Sequence, residues 1–280
     1  MRDIDVSEIT RIVSDMCIDA NLRLSEETVK CITAAKSSED APLAVEILGQ
    51  LEENMKIAEE DRIPICQDTG MAVFFVELGQ EVHITGGSLT DAINEGVRRG
   101  YTDGYLRKSV VSDPLIRKNT NDNTPAIIHY DIVPGDKLKI TITPKGFGSE
   151  NMSRLIMLKP ADGVEAVKRE IIETAKCAGP NACPPFVIGV GIGGDFELVA
   201  KLAKRALTRE PGSHNPLPHI AEIETEVLDS INSLGIGPAG LGGKTTALAV
   251  NIETYATHIA GLPLAINMCC HVDRHKTVIL

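Results

Sequence analysis

The sequence predicts an α+β fold, an irregular mixture of helices and short strands that follows a helical N-terminal segment. Apolar residues recur at three-to-four spacing through about residues 1–60, which is typical of amphipathic helices. After Pro64 they fall instead into short runs bounded by Gly and Pro, the pattern of strands. The 280 residues predict a single domain over residues 1–280, helical to about residue 60 and mixed from about residue 61.

Three helices are expected in the N-terminal segment. The first is indicated by apolar residues on one face: Ile4, Ile9, Ile12, Val13 and Met16. Ser25, followed by two glutamates, predicts the start of the second helix, because a serine hydroxyl can accept a free N–H of the first turn. Pro42 lies where the first turn of the third helix is expected, a position that tolerates proline.

The remaining elements follow in chain order. Strands are predicted at 71–78, 126–133, 137–143, 186–190, 246–252 and 263–268. Helices are predicted at 88–101, 160–177, 195–208 and 217–234, and the first of these has Ser88 and Asp91 at capping-box spacing. The proline-rich stretch at 210–219 is the best candidate for a flexible surface segment.

Composition excludes several classes of function. The chain carries 28 basic and 39 acidic side chains, a net charge of −11, and it has no Trp, so a nucleic-acid partner is not expected. No uncharged apolar run approaches the roughly 18 residues that cross a bilayer, and the acidic N-terminus lacks the apolar core of a signal peptide. A cytoplasmic protein without a membrane partner is therefore expected.

The seven cysteines are an odd number and argue against a disulfide framework.

Two glycine-rich stretches imitate nucleotide-binding motifs. Gly189, Gly191 and Gly194 have dinucleotide-binding spacing, but the region where the acidic strand end should follow is rich in proline. We expect these glycines to allow close approach of a ligand or a neighbouring element. In GPAGLGGKTT the P-loop pattern fails at Pro238, which leaves either an anion site around Lys244 or a tight turn.

Three of the cysteines lie at loop–element junctions: Cys66 in IPICQDTG, Cys183 in GPNACPPFVIG and Cys270 in NMCCHVDRH. Thiolates in such a set favour zinc or an iron–sulfur cluster. A four-iron cluster held by only three thiolates would keep one iron open as a Lewis acid. The other cysteines are interpreted as two core residues, a helix-end thiol and an unresolved neighbour of the third ligand: Cys17, Cys31, Cys177 and Cys269.

The motifs CQDTG, KGFGSENMS, the CPP loop with GVGIGG, GIGPAGLGGKTTALAVNIE and LPLAINMCCHVDRH occur in this order. Together they resemble class I, iron–sulfur-dependent fumarate hydratases and the related L-tartrate dehydratases. The resemblance runs from about residue 60 to the end of the sequence. The length is similar to that of the α subunit, the N-terminal half, of the two-subunit form, or to that of the N-terminal portion of the single-chain form.

The resemblance implies a [4Fe–4S] cluster with one open iron site, held by Cys66, Cys183 and Cys270. Cys270 is preferred over Cys269 because it directly precedes His271. Implied substrate contacts come from Gln67, Asp68, Arg107, Gly148, Ser149 and His258, with Lys244 and Arg117 as further candidates.

The implied reaction is the reversible hydration of fumarate to L-malate, a step of the tricarboxylic acid cycle. Asp68 would move a proton at the substrate hydroxyl; the alternative is that it only caps the QDTG turn. The resemblance also implies that a smaller β subunit supplies the second acid/base group, within an α2β2 assembly in which this subunit self-associates. The alternatives are an L(+)-tartrate dehydratase α subunit and, in another class, a metal-stabilised structural subunit without chemistry.

Overall fold

The computed structural model describes all 280 residues, and the chain divides into two compact units. Unit 1 comprises Met1–Leu24, Met55–Phe147 and Arg274–Leu280, and unit 2 comprises Ser25–Asn54 and Gly148–Asp273. Helices and mixed sheets occur in both units, so the predicted α+β class is confirmed. That residues 1–280 act as a single catalytic domain stays a prediction.

The helices are α1 (Val6–Leu22), α2 (Glu26–Ser38), α3 (Pro42–Asp61), α4 (Leu89–Asp103), α5 (Phe147–Glu150), α6 (Gly163–Ala178), α7 (Phe196–Ala206) and α8 (Pro218–Asn232). The strands are β1 (Arg2–Asp5), β2 (Met71–Gly79), β3 (Val82–Thr85), β4 (Ile127–Val133), β5 (Leu138–Lys145), β6 (Arg154–Leu158), β7 (Phe186–Gly194), β8 (Ala247–Thr257), β9 (Leu262–Cys269) and β10 (Lys276–Ile279).

The predicted helix starts are confirmed by their caps. Ser25 Oγ accepts the N–H of Thr28 at 3.2 Å, and Ser88 Oγ accepts the N–H of Asp91 at 3.3 Å. Each serine thereby satisfies one of the N–H groups that a first helical turn leaves without an intrahelical partner. Local sequence therefore determines where these helices begin.

Unit 1 is built on a sheet of order β10-β5-β2-β4, in which β2 runs antiparallel to β5 and parallel to β4. The buried side chains of α1 and α4 join those of the sheet in one core. The two helices pack closely at glycines of α4: a Cβ added to Gly96 would lie 2.6 Å from Val13, and one on Gly100 would lie 2.7 Å from Cys17. Cys17 is fully buried, as predicted.

Unit 2 is built on a sheet of order β6-β9-β7-β8, with β7 parallel to β8 and antiparallel to β9. Ile188 and Val190 of β7 face the core that contains α6 and α8. Their neighbours Gly189 and Gly191 face α7, because successive residues of a strand point to opposite sides. A Cβ on either glycine would lie 2.2 Å from a carbonyl oxygen of α7. The GVGIGG glycines therefore allow close approach of a neighbouring element.

Several elements differ from the prediction. The strands β1, β3, β6 and β10 were not predicted, since four- and five-residue strands depend on distant partners: β1 pairs with β3, and β10 pairs with β5. Cys31, interpreted as a core residue, is only half-buried. The segment 210–219 is anchored, because the buried Asn215 donates from its backbone to Glu224 and from its side chain to the carbonyl of Ile252. No helix is both long and apolar enough to cross a membrane.

Candidate functional site

In unit 1 the candidate site is the segment that joins α3 to β2. Cys66 and Asp68 are half-buried there, and Gln67 is exposed. Residues 67–70 form the QDTG turn, in which Asp68 Oδ1 accepts the N–H of Gly70 at 3.2 Å. Asp68 Oδ2 accepts the N–H of Phe147 at 2.8 Å. The carboxylate therefore caps its own turn and is held in one orientation by two backbone donors.

The backbone carbonyls of the QDTG turn are held by three buried side chains. The donors are Arg274 Nη2 to Asp68 (2.8 Å), the Tyr101 hydroxyl to Thr69 (2.9 Å) and Gly70 (3.0 Å), and Asn123 Nδ2 to Gly70 (3.1 Å). Burial raises the pKa of Tyr101, so its hydroxyl remains protonated and available as a donor. The turn is thus fixed at three successive carbonyls.

Arg107 lies beside this turn. The Thr69 hydroxyl accepts the N–H of Arg107 at 3.0 Å and lies 3.2 Å from its carbonyl oxygen, while the arginine side chain is exposed. Gly146 approaches from β5: a Cβ added there would lie 3.1 Å from Asp68 Oδ2. Unit 1 therefore brings together Gln67, Asp68 and Arg107, three of the predicted substrate contacts. Arg117, in contrast, is an exposed arginine at a turn.

In unit 2 two cysteine-bearing loops meet. The carbonyl oxygen of Cys183 accepts the backbone N–H of His271 at 3.3 Å and lies 3.1 Å from His271 Nδ1. Cys183 is exposed and has a φ of +51°, in the left-handed region that a non-glycine residue adopts at a cost. Cys270, next to His271, is half-buried. The structure therefore brings the Cys183 loop and the Cys270 loop together.

The adjacent cysteines differ in environment. Cys269 is the last residue of β9, is 5% exposed and packs in an apolar cluster with Val187, Leu207 and Ala249. Cys270 follows the strand and is more exposed, with Sγ 3.8 Å from the carbonyl oxygen of Val272. Burial of one thiol in an apolar cluster supports the choice of Cys270 as the candidate ligand.

The remaining candidates of unit 2 lie in three places. Gly148 is exposed and Ser149 is buried, both in the short helix α5. His258 follows β8 at an exposed turn, where its Nδ1 accepts the N–H of Ala260 at 3.1 Å. Lys244 lies in the GPAGLGGKTT loop, and its ammonium group pairs with Asp40 at 2.5 Å.

The GPAGLGGKTT loop holds a carboxylate of the protein itself. The N–H of Lys244 donates to Glu39 Oε2 at 2.7 Å, and the N–H groups of Asp40 and Ala41 donate to Glu39 Oε1 at 3.0 and 3.2 Å. Burial raises the pKa of Glu39, but the backbone donors, including that of Thr245, lower it by more, so the pKa lies below its ordinary value. The anion that these amides bind is therefore an internal glutamate.

Comparison with known proteins shows the family to which the chain belongs. The sequence pattern of the family described as fumarate hydratase (fumerase) matches residues 10–279. The chain belongs to the fumarate hydratase family. It is 40% identical over 273 residues to the putative L(+)-tartrate dehydratase subunit alpha of Methanocaldococcus jannaschii, covering 95% of each chain. It is 31% identical over 279 residues to the L(+)-tartrate dehydratase subunit alpha of Escherichia coli O157:H7, covering 98% of this chain and 91% of that one.

The family resemblance inferred from the five motifs is thus confirmed, but several residues around the fumarate hydratase motifs were not identified from sequence. These are Asn21, Glu39, Thr69, Tyr101, Asn123 and Arg274. For Arg274 a signal existed, since HVDRH places charged residues directly after an apolar strand. Tyr101 and Asn123 carry no such signal, because their importance comes from partners more than thirty residues away.

The structure contains no group of three or more His, Cys, Asp or Glu side chains arranged to hold a metal ion. None of the seven cysteines forms a disulfide bond. Cys66 belongs to unit 1, and Cys183 and Cys270 belong to unit 2. Their joint ligation of one cluster in this fumarate hydratase family member stays a prediction.

Proposed function

We propose that the chain is the α subunit of a hydro-lyase that adds water reversibly to fumarate, giving L-malate. The observation that supports this most directly is the fixed Asp68 carboxylate, two residues from a half-buried thiol and on a turn whose Thr69 binds the backbone of Arg107. A second candidate is the dehydration of L(+)-tartrate, because the similar proteins named above are L(+)-tartrate dehydratase α subunits.

Cys66, Cys183 and Cys270 would hold the [4Fe–4S] cluster. The donor chemistry fits, because all three are thiols outside any disulfide, lie in loops and are not fully buried, and Cys183 is exposed on a loop fixed by His271. When bound with three thiolates, the cluster supplies an open iron that acts as a Lewis acid on a substrate oxygen.

The chain's own side chains would bind substrate and move the proton. The Asp68 carboxylate delivers or removes the proton at the substrate hydroxyl, and its two backbone donors hold it in place for that transfer. The exposed guanidinium of Arg107 binds a substrate carboxylate. The further contacts proposed are Gln67, Gly148, Ser149, His258 and Lys244. For Lys244 the ion pair with Asp40 would have to open.

A smaller β subunit would complete the site. The word "alpha" in the names of the similar proteins supports a partner subunit. That partner would provide the second acid/base group in an α2β2 assembly, in which the α subunits also contact one another. A reducing cytoplasm is the proposed location, because it keeps thiols available as ligands.

The test is anaerobic turnover of L-malate and L(+)-tartrate by the iron-loaded subunit mixed with its β partner. Activity only in the mixture is expected, and the preferred substrate decides between the two candidates. Asp68→Asn should keep the absorbance of the cluster and lose at least roughly 100-fold in turnover. Asp113→Asn is the matched control, since Asp113 also accepts two backbone N–H groups at a turn and should tolerate the change.

Three results would contradict the proposal: turnover by the α subunit alone, normal turnover of Asp68→Asn, or stoichiometric zinc without an effect of dicarboxylates. The last of these would favour a structural subunit stabilised by metal.

A further inference from the structure

Arg274 is a buried cation that does not pair with an acid. Its side chain is among the most buried in the protein, at 2% exposure. Its two hydrogen bonds go to uncharged oxygens, the carbonyl of Asp68 and Oδ1 of Asn21, each at 2.8 Å. Its Nε has no partner. Because burial of a charge that makes no ion pair is costly, the contacts of this guanidinium need a reason beyond stability.

A partly buried arginine, Arg209, with a side chain 18% exposed, shows the usual arrangement. Arg209 pairs with Glu224 at 2.8 Å and with Glu253 at 3.5 Å. Its charge is therefore neutralised by carboxylates, as expected for an arginine with a structural role. Each guanidinium leaves one nitrogen without a partner, so the difference between the two arginines is the carboxylates that pair with Arg209.

The hydrogen bonds of Arg274 and its partner Asn21 reach the chain on both sides of Cys66. The backbone oxygen of Asn21 accepts the N–H of Ile65 at 3.0 Å. The side-chain oxygen of Asn21, Oδ1, accepts a hydrogen bond from Arg274, and Arg274 in turn donates to the carbonyl of Asp68. Asn21 is itself held by a bond from its Nδ2 to the carbonyl of Cys17 at 2.9 Å. The C-terminal turn of α1 is thereby connected to the residue before Cys66 and to the second residue after it.

Arg274 also lies beside the carboxylate of Asp68. A Cβ added to Gly146 would lie 3.1 Å from Asp68 Oδ2 and 3.6 Å from Arg274 Nη2. The carboxylate and the guanidinium thus border the same small space above a glycine. Backbone N–H groups hold the carboxylate of Asp68, and Arg274 holds its backbone carbonyl.

We propose that Arg274 is a positioning residue for the hydration reaction: with Asn21 it sets the orientation of the Cys66 thiol and the Asp68 carboxylate. This role rests on the proposed function. Arg274 is too buried to bind substrate, and it acts through the backbone of the QDTG turn. Tyr101 supports the same turn at its next two carbonyls.

The test compares Arg274→Lys with Arg209→Lys in the iron-loaded αβ complex. Lysine keeps the charge but lacks the planar fork that reaches two acceptors in fixed directions. For Arg274→Lys we expect kcat to fall roughly 100-fold with KM changed less than about 3-fold, since a misplaced catalytic group mainly affects the chemical step. Iron and sulfide content should match the wild type. Arg209→Lys should lower Tm and leave kcat per cluster unchanged.

Chemical rescue separates positioning from stability. Guanidinium ion at millimolar concentration should restore part of the kcat of Arg274→Ala and should not change the kcat of Arg209→Ala. If the Arg274 variants do not fold, Tyr101→Phe replaces them, because it removes only the hydroxyl; its kcat should fall roughly 10-fold at unchanged KM.

A wild-type kcat per cluster in Arg274→Lys, or in Tyr101→Phe where that variant is used, overturns the positioning role alone. So does a loss of kcat that follows Tm and disappears on cooling. A wild-type complex inactive on both malate and tartrate overturns the proposed function, and the positioning role with it. The wild-type measurement therefore distinguishes the two failures.

Discussion

The two units hold their candidate residues by different physical means. In unit 1, buried side chains donate to the carbonyls of the QDTG turn, and each donor comes from a different element or loop. In unit 2, the loops depend on backbone geometry that glycine permits: a Cβ on Gly237 would lie 1.9 Å from the carbonyl oxygen of Gly242. The QDTG turn of unit 1 should therefore be sensitive to the removal of the side-chain atoms that hold it, and the glycine-rich segments of unit 2 to the addition of a single carbon.

The largest effect is expected at the cysteines of unit 2. Cys270→Ser should abolish the iron and sulfide content, because the hydroxyl is a far weaker ligand than a thiolate. Cys269→Ser should keep the cluster and lower the free energy of unfolding by about 1 to 2 kcal/mol, since it places a hydroxyl in an apolar cluster. Metal analysis and urea unfolding measure the two effects. Loss of the cluster in Cys269→Ser alone would reverse the assignment of the third ligand.

Gly191→Ala tests the claim that the glycine-rich segments of unit 2 do not accept an added carbon. The new Cβ would lie 2.2 Å from the carbonyl oxygen of Val199, so β7 and α7 must separate. We expect the free energy of unfolding to fall by about 3 kcal/mol. Gly261→Ala is the control in the same unit, because its nearest neighbour is 3.8 Å away. Equal urea midpoints for both variants would contradict the prediction.

Tyr101→Phe tests the corresponding claim for unit 1. The change removes one buried hydroxyl and leaves the carbonyl of Thr69 without this donor. The free energy of unfolding should fall by about 1 to 2 kcal/mol. Tyr130→Phe is the control, because it removes a hydroxyl from an exposed tyrosine and should have little effect on the free energy of unfolding. Phe74→Tyr is not a suitable control, because it adds an atom to the core. A neutral Tyr101→Phe would show that the turn does not need this side chain.

The smallest effect concerns Glu39, the side-chain acceptor held by the GPAGLGGKTT loop of unit 2. Its folded pKa lies below the ordinary value of 4.5, so its stabilisation is present above pH 4.5 and is lost as the pH falls through the folded pKa. Glu39→Gln should lower the free energy of unfolding by about 1 kcal/mol at pH 7. The difference from wild type should shrink below pH 4.5. A difference that is constant with pH would exclude the carboxylate as the cause.

Much of the local structure could be predicted because its signals are local. Ser25 and Ser88 cap helices through residues three positions away, a short apolar run marks β2, and alternating apolar residues mark β5. The short strands β1, β3, β6 and β10 could not be found this way, since each exists only through a partner strand. For the glycines of GVGIGG the sequence predicted close approach of a ligand or a neighbouring element, and the structure shows α7 as that element.

The sequence by itself determined the α+β class, the helical N-terminal segment and, through five ordered motifs, the fumarate hydratase family. Only the tertiary structure decided how the QDTG turn is held, that Glu39 occupies the GPAGLGGKTT loop and that Cys269 is in the apolar core. The reason is the distance along the chain. Arg274 meets Asp68 across 206 residues, and Lys244 meets Glu39 across 205. Such pairs follow from how elements pack, and no pattern of neighbouring residues encodes them.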